Sequence, residues 1–284
     1  MKAEVRPVLI NSLGLSSLLL SLACGPDPVY DSEIGVNAVA VEAGALAGTF
    51  ALRTVSTTLI DVPLLGDKVG GGHNLRLVKR TYDEAEDVYL QTSKLCGGNN
   101  FEVAGVKTEA PQSTYLKVPE STQELLKVDH ELGTYVATGH LQLWGLKDLP
   151  EPMTTALPLD RAAADKEPHR SRIFDMDEDG HIGITMKITG LVDGEVYAIQ
   201  RKFIDLEGIV LGPDKTMGLS DNRYDTVVLG DDIAIYDPKD GSADKHPDPK
   251  RSWFHEVRIK EDANCDDVIS ETEIGRLHDE RPFQ

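Results

Sequence analysis

Apolar and polar residues alternate with a period of two along much of this chain, the pattern of β-strands that bury one face. Residues 49–60 (TFALRTVSTTLI), 74–80, 87–92, 135–144 and 252–260 add β-branched and aromatic side chains to that period. The clearest pair is 181–189 (HIGITMKIT) followed by 195–204 (EVYAIQRKFI). In the first, Ile182, Ile184, Met186 and Ile188 share one face, while Gly183, Thr185, Lys187 and Thr189 share the other. The intervening 190–194 (GLVDG) reads as a hairpin loop, so the two strands should pair antiparallel.

Helical spacing is scarce. Residues 121–132 (STQELLKVDHEL) are compatible with a short helix without being specific for one. Residues 265–277 make a better case, because Asn264 can cap them and Asp266, Asp267 and Glu271 suit a helix N-terminus. Two stretches, 146–172 with Pro150, Pro152, Pro158 and Pro168, and 237–250 rich in proline and aspartate, read as solvated loops. The pattern therefore predicts a mainly β, antiparallel fold, a barrel or a sandwich, with a short C-terminal helix. Gly48-Thr49-Phe50 and Gly133-Thr134-Tyr135 each open a predicted strand with glycine, one residue and an aromatic. That triplet resembles the start of the first strand in lipocalin-type barrels and tilts the choice toward a barrel.

The first residues follow a different pattern. Lys2 and Arg6, with Glu4 between them, precede an apolar run over 8–22 that ends in Ser21-Leu22-Ala23-Cys24. A basic start, an apolar stretch and small residues form a secretory signal. The run is too short, and too interrupted by Asn11, Ser12 and Gly14, for a spanning helix of about 20 residues. Leu20-Ser21-Leu22-Ala23-Cys24 resembles the lipobox of bacterial lipoprotein signal peptides, with Ser21 where that family favours leucine. The resemblance implies a signal peptide over 1–23, acyl chains such as palmitate on Cys24, a tether over 24–35, and one exported domain over 36–284. It also implies a lipid-anchored protein of the bacterial cell envelope. Gly25, where the family uses aspartate for inner-membrane retention, points to the outer membrane, facing periplasm or exterior. The competing reading is an ordinary signal peptide, with Cys24 as a free or bonded thiol.

With Cys24 lipidated, the three cysteines leave Cys96 and Cys265 as an even pair, expected as a disulfide in an oxidising compartment. The formal net charge of −19 becomes −20 once Lys2, Arg6 and Glu4 are removed, since together they carry +1. Such acidity opposes binding nucleic acid or anionic headgroups through a basic face. It suits divalent cations.

One local motif gathers that acidity. Asp175-Met176-Asp177-Glu178-Asp179-Gly180-His181-Ile182 resembles the first eight positions of an EF-hand-type calcium loop. Three alternate carboxylates converge on a cation only if the chain turns sharply after the third, which Gly180 permits. The resemblance implies calcium held by Asp175, Asp177, Asp179 and the peptide carbonyl of His181, with Ile182 and Phe174 pinning the loop. Met186 stands where the family places its bidentate glutamate, and a strand follows instead of a helix. A further ligand must come from elsewhere; Asp165, Glu167, Asp205 and Glu207 are the candidates. The competing reading is an acidic surface turn. A second register, Asp262, Asn264, Asp266, Ser270 and Glu273, is better read as a strand leading to a capped helix, because Asp267 takes the glycine position.

Catalytic motifs are absent from the sequence: it holds no G-x-S-x-G, HExxH, phosphate-binding loop or dinucleotide fingerprint. His140 reads as a strand residue, and Trp144 and Trp253 as core. The expected function is a non-enzymatic envelope lipoprotein with a structural calcium loop, binding a small ligand or a protein partner, or simply a structural module. The alternative is a secreted hydrolase whose site is assembled from residues distant in sequence.

Overall fold

The computed structural model describes residues 38–62, 66–103, 106–121, 124–190, 193–233 and 243–270. The expected signal peptide, Cys24 and its tether lie outside the described residues, as does the helix expected beyond residue 270.

The chain is mainly β, and its described residues form eleven strands in one antiparallel sheet. The first half contributes β1 (Gly48–Val62), β2 (Gly66–Asp83), β3 (Val88–Val103) and the short β4 (Val106–Glu109). Helix α1 (Gln112–Lys117) precedes β5 (Glu124–Asp129) and β6 (Thr134–Trp144), and α2 (Arg161–Ala164) lies in the connection that follows. The second half adds β7 (Ile184–Gly190), β8 (Gly194–Gly212), β9 (Lys215–Asp231), β10 (Ala243–Lys245), β11 (Trp253–Arg258) and α3 (Cys265–Ile269).

The pairings run in a ring. From β1 they pass through β11, β9, β8, β6, β5, β3 and β2 and return to β1. Strands β4 and β7 make a side circuit, because β4 pairs with the end of β3 and β7 with the start of β8. The expected antiparallel pairing of 181–189 with 195–204 is present as β7 against β8, in register from Ile184↔Ala198 to Ile188↔Gly194.

Ring closure decides which residues leave water. Phe50, Leu52, Val78, Tyr89, Leu126, Tyr135, Ile204, Leu206 and Phe254, from seven strands, meet in one buried cluster, so these alternate positions face inward. The intervening positions of β1, β2 and β11 (Ala51, Leu75, Leu77, Val257) face outward and are covered by α3 through Val268. Asn264 caps α3 in a capping box with Asp267, and the Lys260 ammonium lies 2.6 Å from the Asp267 carboxylate. Residues 264–270 are thus a capped helix start, as expected. Cys265 of α3 and Cys96 of β3 lie at disulfide distance with Cα atoms 5.0 Å apart, across 169 residues of sequence. Closing a loop that long removes about 4–5 kcal/mol of unfolded-chain entropy.

Three expectations are overturned. Residues 243–245, inside the stretch 237–250 expected as a loop, form β10 and pair with β1. Residues 124–129, inside the stretch compatible with a helix, form strand β5, because Leu126 fills the ring interior while β5 pairs with β3 and β6. The proline-rich stretch 146–172 is not simply a solvated loop. Leu146, Leu149 and Ala164 are buried, and Leu146, Ala164 and Ile173 pack against Ile199 and Leu229 on the outside of β8 and β9. Arg201 holds this stretch in place, donating to the carbonyls of Pro152 (3.0 Å) and Thr155 (2.8 Å) and pairing with Asp225 (2.6 Å).

The interior is not wholly apolar. Arg80 and Glu256, each 1% exposed at the side chain, form an ion pair at 2.8 Å. Gln91 accepts from Arg80, and Thr216 donates to the second Glu256 oxygen. Removing one partner of such a pair leaves a buried charge uncompensated, at about 3–5 kcal/mol, whereas apolar replacement of both costs far less. Glu256→Ala should therefore lower unfolding stability in urea by about 3–5 kcal/mol. The double variant Arg80→Met/Glu256→Leu should recover most of that loss; equal losses in both would contradict the assignment.

Candidate metal centre

The acidic motif sits at the entry to β7, where two glycines let separate segments of the chain meet. Gly145 and Gly183 have φ of +66° and +98°, and a Cβ on Gly145 would come within 2.6 Å of the Gly183 Cα. A Cβ on Gly183 would press to 2.3 Å from the Ala198 carbonyl oxygen of β8. Glycine at both positions lets residues 174–183 lie flat against the strand ends. The loop is then closed at its base: the Met176 N–H donates to the Gly183 carbonyl (2.9 Å) and the Gly183 N–H to the Phe174 carbonyl (3.0 Å). Met176 reaches inward to pack with Trp144, Tyr115, Val118 and Ile184, and the Gly145 N–H points at its sulfur at 3.2 Å.

Within the loop the backbone wraps around Asp175. One of its oxygens accepts from the N–H of Glu178 (2.7 Å) and of Asp179 (3.3 Å), the other from Gly180 (2.9 Å). The turn needs Glu178 at φ +63° and Gly180 at φ +95°. Asp179 accepts from the His181 N–H at 2.9 Å, and Asp177 from the Thr185 N–H at 2.7 Å. The result brings carboxylate oxygens of Asp175, Asp177 and Asp179 within 4.8 Å of one another. Lys117 of α1 approaches the loop from outside, 3.2 Å from Glu178.

The electrostatics of the cluster are unbalanced. Burial pushes the Asp177 carboxyl above its ordinary value; Asp179 and Asp175 add repulsion, and the Thr185 N–H only partly offsets both. Its Oδ1 is buried and has no hydrogen-bond partner among the described residues. For Asp179, burial acts in the same upward direction, but the neighbouring Thr185 hydroxyl, the His181 N–H and the His181 ring carry its carboxyl below the usual value. The Thr185 hydroxyl sits beside these carboxylates, in a residue 4% exposed, without closing a hydrogen bond of ordinary geometry. A cation among the three carboxylates would give Asp177 Oδ1 the partner it lacks, so the residues fit a hard, oxygen-liganded divalent ion.

The fate of each expected ligand follows. Asp175, Asp177 and Asp179 are brought together. The His181 side chain turns away and stacks flat on Tyr197, with ring centres 3.8 Å apart, leaving only its peptide carbonyl as the expected ligand. Met186, at the position of the family's glutamate, packs toward the Trp144 cluster. The four outside candidates do not join: Asp165 pairs with Arg161, Asp205 pairs with Arg223, and Glu167 and Glu207 are not part of the cluster. Thr185 is the neighbour that sequence reasoning missed. Its closeness depends on where β7 begins, which no local spacing announces.

Two polar pairs bear on the hydrolase alternative. Ser93 Oγ and His140 Nδ1 lie 3.2 Å apart inside the ring, and His130 Nε2 and Asp87 Oδ1 lie 3.1 Å apart at an exposed turn. Among the described residues neither pair is extended into a serine, histidine and carboxylate in line. No family model matches the chain, and no curated protein matches it either.

Protonation and calcium should compete at this loop, and Asp177 sets the sign. Its folded carboxyl lies above the ordinary value, so in chelator its ionisation opposes folding at neutral pH, and that cost is relieved as pH falls through the raised value. With millimolar calcium the order reverses, because protons displace the metal. Thermal unfolding should show Asp177→Asn more stable than the wild type in chelator and deaf to calcium. The wild type should gain about 2.7 kcal/mol at calcium 100 times the dissociation constant. A variant that keeps the full calcium gain would contradict this reading.

Proposed function

We propose that this chain is a lipid-anchored protein of the bacterial cell envelope that holds calcium in the 175–181 loop and acts as a non-enzymatic binding module. The observation that carries the calcium reading is the convergence of Asp175, Asp177 and Asp179 within 4.8 Å, with one Asp177 oxygen buried and unpartnered. Calcium is favoured over magnesium, because magnesium needs near-ideal octahedral geometry, whereas calcium tolerates irregular oxygen ligands. Without a bidentate glutamate the affinity belongs to the weak extracellular range, roughly 10⁻⁴–10⁻³ M. Such a site works where calcium is plentiful, outside the cytosol, and the Cys96–Cys265 pairing suits the same compartment.

The anchor rests on residues 20–24 and the apolar run before them. Acyl chains add about 0.8 kcal/mol per buried methylene, so more than one chain on Cys24 gives stable attachment. The acidic domain, with its charge of −19 before processing, would stand off an anionic surface on its tether.

Mass spectrometry of the membrane fraction tests the anchor. The mature N-terminus should be an acylated Cys24, and Cys24→Ala should release the protein into the soluble fraction. A wild-type chain that is soluble, or a variant still bound to the membrane, would refute it.

A further inference from the structure

Lys202 of β8 is a buried cation without a negative neighbour among the described residues. It points into the ring on the same face as Ile204 and Leu206, and the residue is 4% exposed. Its neighbours across the sheet are Gln142 of β6 and Tyr224 of β9. The ammonium lies 4.9 Å from the centre of the Tyr224 ring. Asn74 of β2, with its amide nitrogen toward the His73 carbonyl, offers its oxygen to Lys202 at 2.7 Å. Both partners are neutral. Arg76, itself 1% exposed, acts on Lys202 with a charge of the same sign. Among the described residues no carboxylate pairs with Lys202, in contrast to Arg80, which the same interior matches with Glu256.

The second observation is independent of charge. Among the described residues, two buried acceptors and one buried hydroxyl of this layer have no partner: Gln142 Oε1 beside Lys202, Asn222 Oδ1 one inward step along β9 from Tyr224, and the Thr54 hydroxyl opposite Asn74. Asn222 uses its amide nitrogen on Ser220 at 2.8 Å, so its oxygen remains to receive a donor. Buried acceptors without donors are rare in folded proteins, and several of them around one cation describe half of a hydrogen-bonded complex.

We propose that this layer of the ring interior binds a small hydroxylated organic anion, a carboxylate or phosphate ester. Its charge would lie against Lys202 and Arg76, and its hydroxyls would donate to Gln142 and Asn222. Simple apolar ligands do not fit, since they would leave both the charge and the acceptors unanswered. A plain inorganic anion answers the charge alone. Desolvation, followed by repulsion from Arg76, holds the Lys202 ammonium well below its ordinary value, so an anion beside it would favour the charged form. The inference gives a chemical class to the small-ligand reading of the function, and it depends on neither the lipid anchor nor the calcium loop.

The full-length chain should be unfolded thermally with glycerate and with glycerol phosphate at millimolar concentration, and with acetate, inorganic phosphate and glycerol as controls. Each titration is run once in calcium and once in chelator, which separates failure of this site from failure of the metal loop. At least one hydroxylated anion should raise the unfolding temperature in both conditions, and glycerol should not. Lys202→Met, which keeps the stem and removes the charge, should abolish the shift. Gln142→Leu should weaken binding about tenfold while keeping the response to charge. The proposal fails if no hydroxylated anion shifts the wild type, if Lys202→Met retains the shift, or if acetate and phosphate act as strongly as their hydroxylated counterparts.

Discussion

Closure of the strand ring is the constraint on which the rest of this molecule depends. β1 pairs with β2 along its whole length, from Gly48↔Arg80 to Val62↔Gly66, and on its other edge with β11 and then β10. With both edges taken, β1 presents no open hydrogen-bonding row, and most inward side chains of the ring are removed from water together. The apolar layer around Phe50, Leu126, Tyr135 and Phe254 repays that removal. The polar positions must find their partners inside. Arg80 and Glu256 find each other, while Lys202 finds only neutral groups and a second cation.

The acidic 175–181 loop is a consequence of the same closure. β8 serves two strands in succession, β7 along its first residues and β6 further on, and the chain entering β7 must squeeze between them. Gly145 and Gly183 make that passage, and the motif 175–180 fills the turn just before it. The loop is therefore anchored at its base by backbone hydrogen bonds and by Met176 in the Trp144 cluster, while its carboxylates crowd at the tip. Crowding is what a cation relieves. A bound cation would pass that gain to the hydrophobic side of the loop through Met176 and the Thr185 N–H held by Asp177.

How much of this was legible in the sequence depends on how local each feature is. The paired strands β7 and β8, the capped start of α3 and the Asp motif are written in neighbouring residues, and each could be read directly. β9 could not: its inward residues include Ser220, Asn222 and Tyr224, so a polar interior erased the alternation that marks a strand. Helix α1 is too short to show a period. β5 offered Leu125, Leu126 and Val128 in a spacing that either element could use, and pairing with β3 and β6 decided it. The prolines of 146–172 suggested a loop in water, and only the outer face of β8 and β9 explains why Leu146 and Ala164 are buried. Thr185 and the Lys202 layer depend on register between strands far apart in sequence, which no motif encodes.

Amide hydrogen exchange, resolved by residue and compared in calcium and in chelator, tests most directly whether the 175–185 loop is a cation-braced junction. Calcium is expected to slow exchange at Glu178, Gly180 and Thr185, whose N–H groups bond to the loop carboxylates, and at Gly183 at its base. Amides of β1 and β2, far along the ring, should change little. Equal exchange at the loop amides with and without calcium would contradict the claim and leave the motif as an acidic turn.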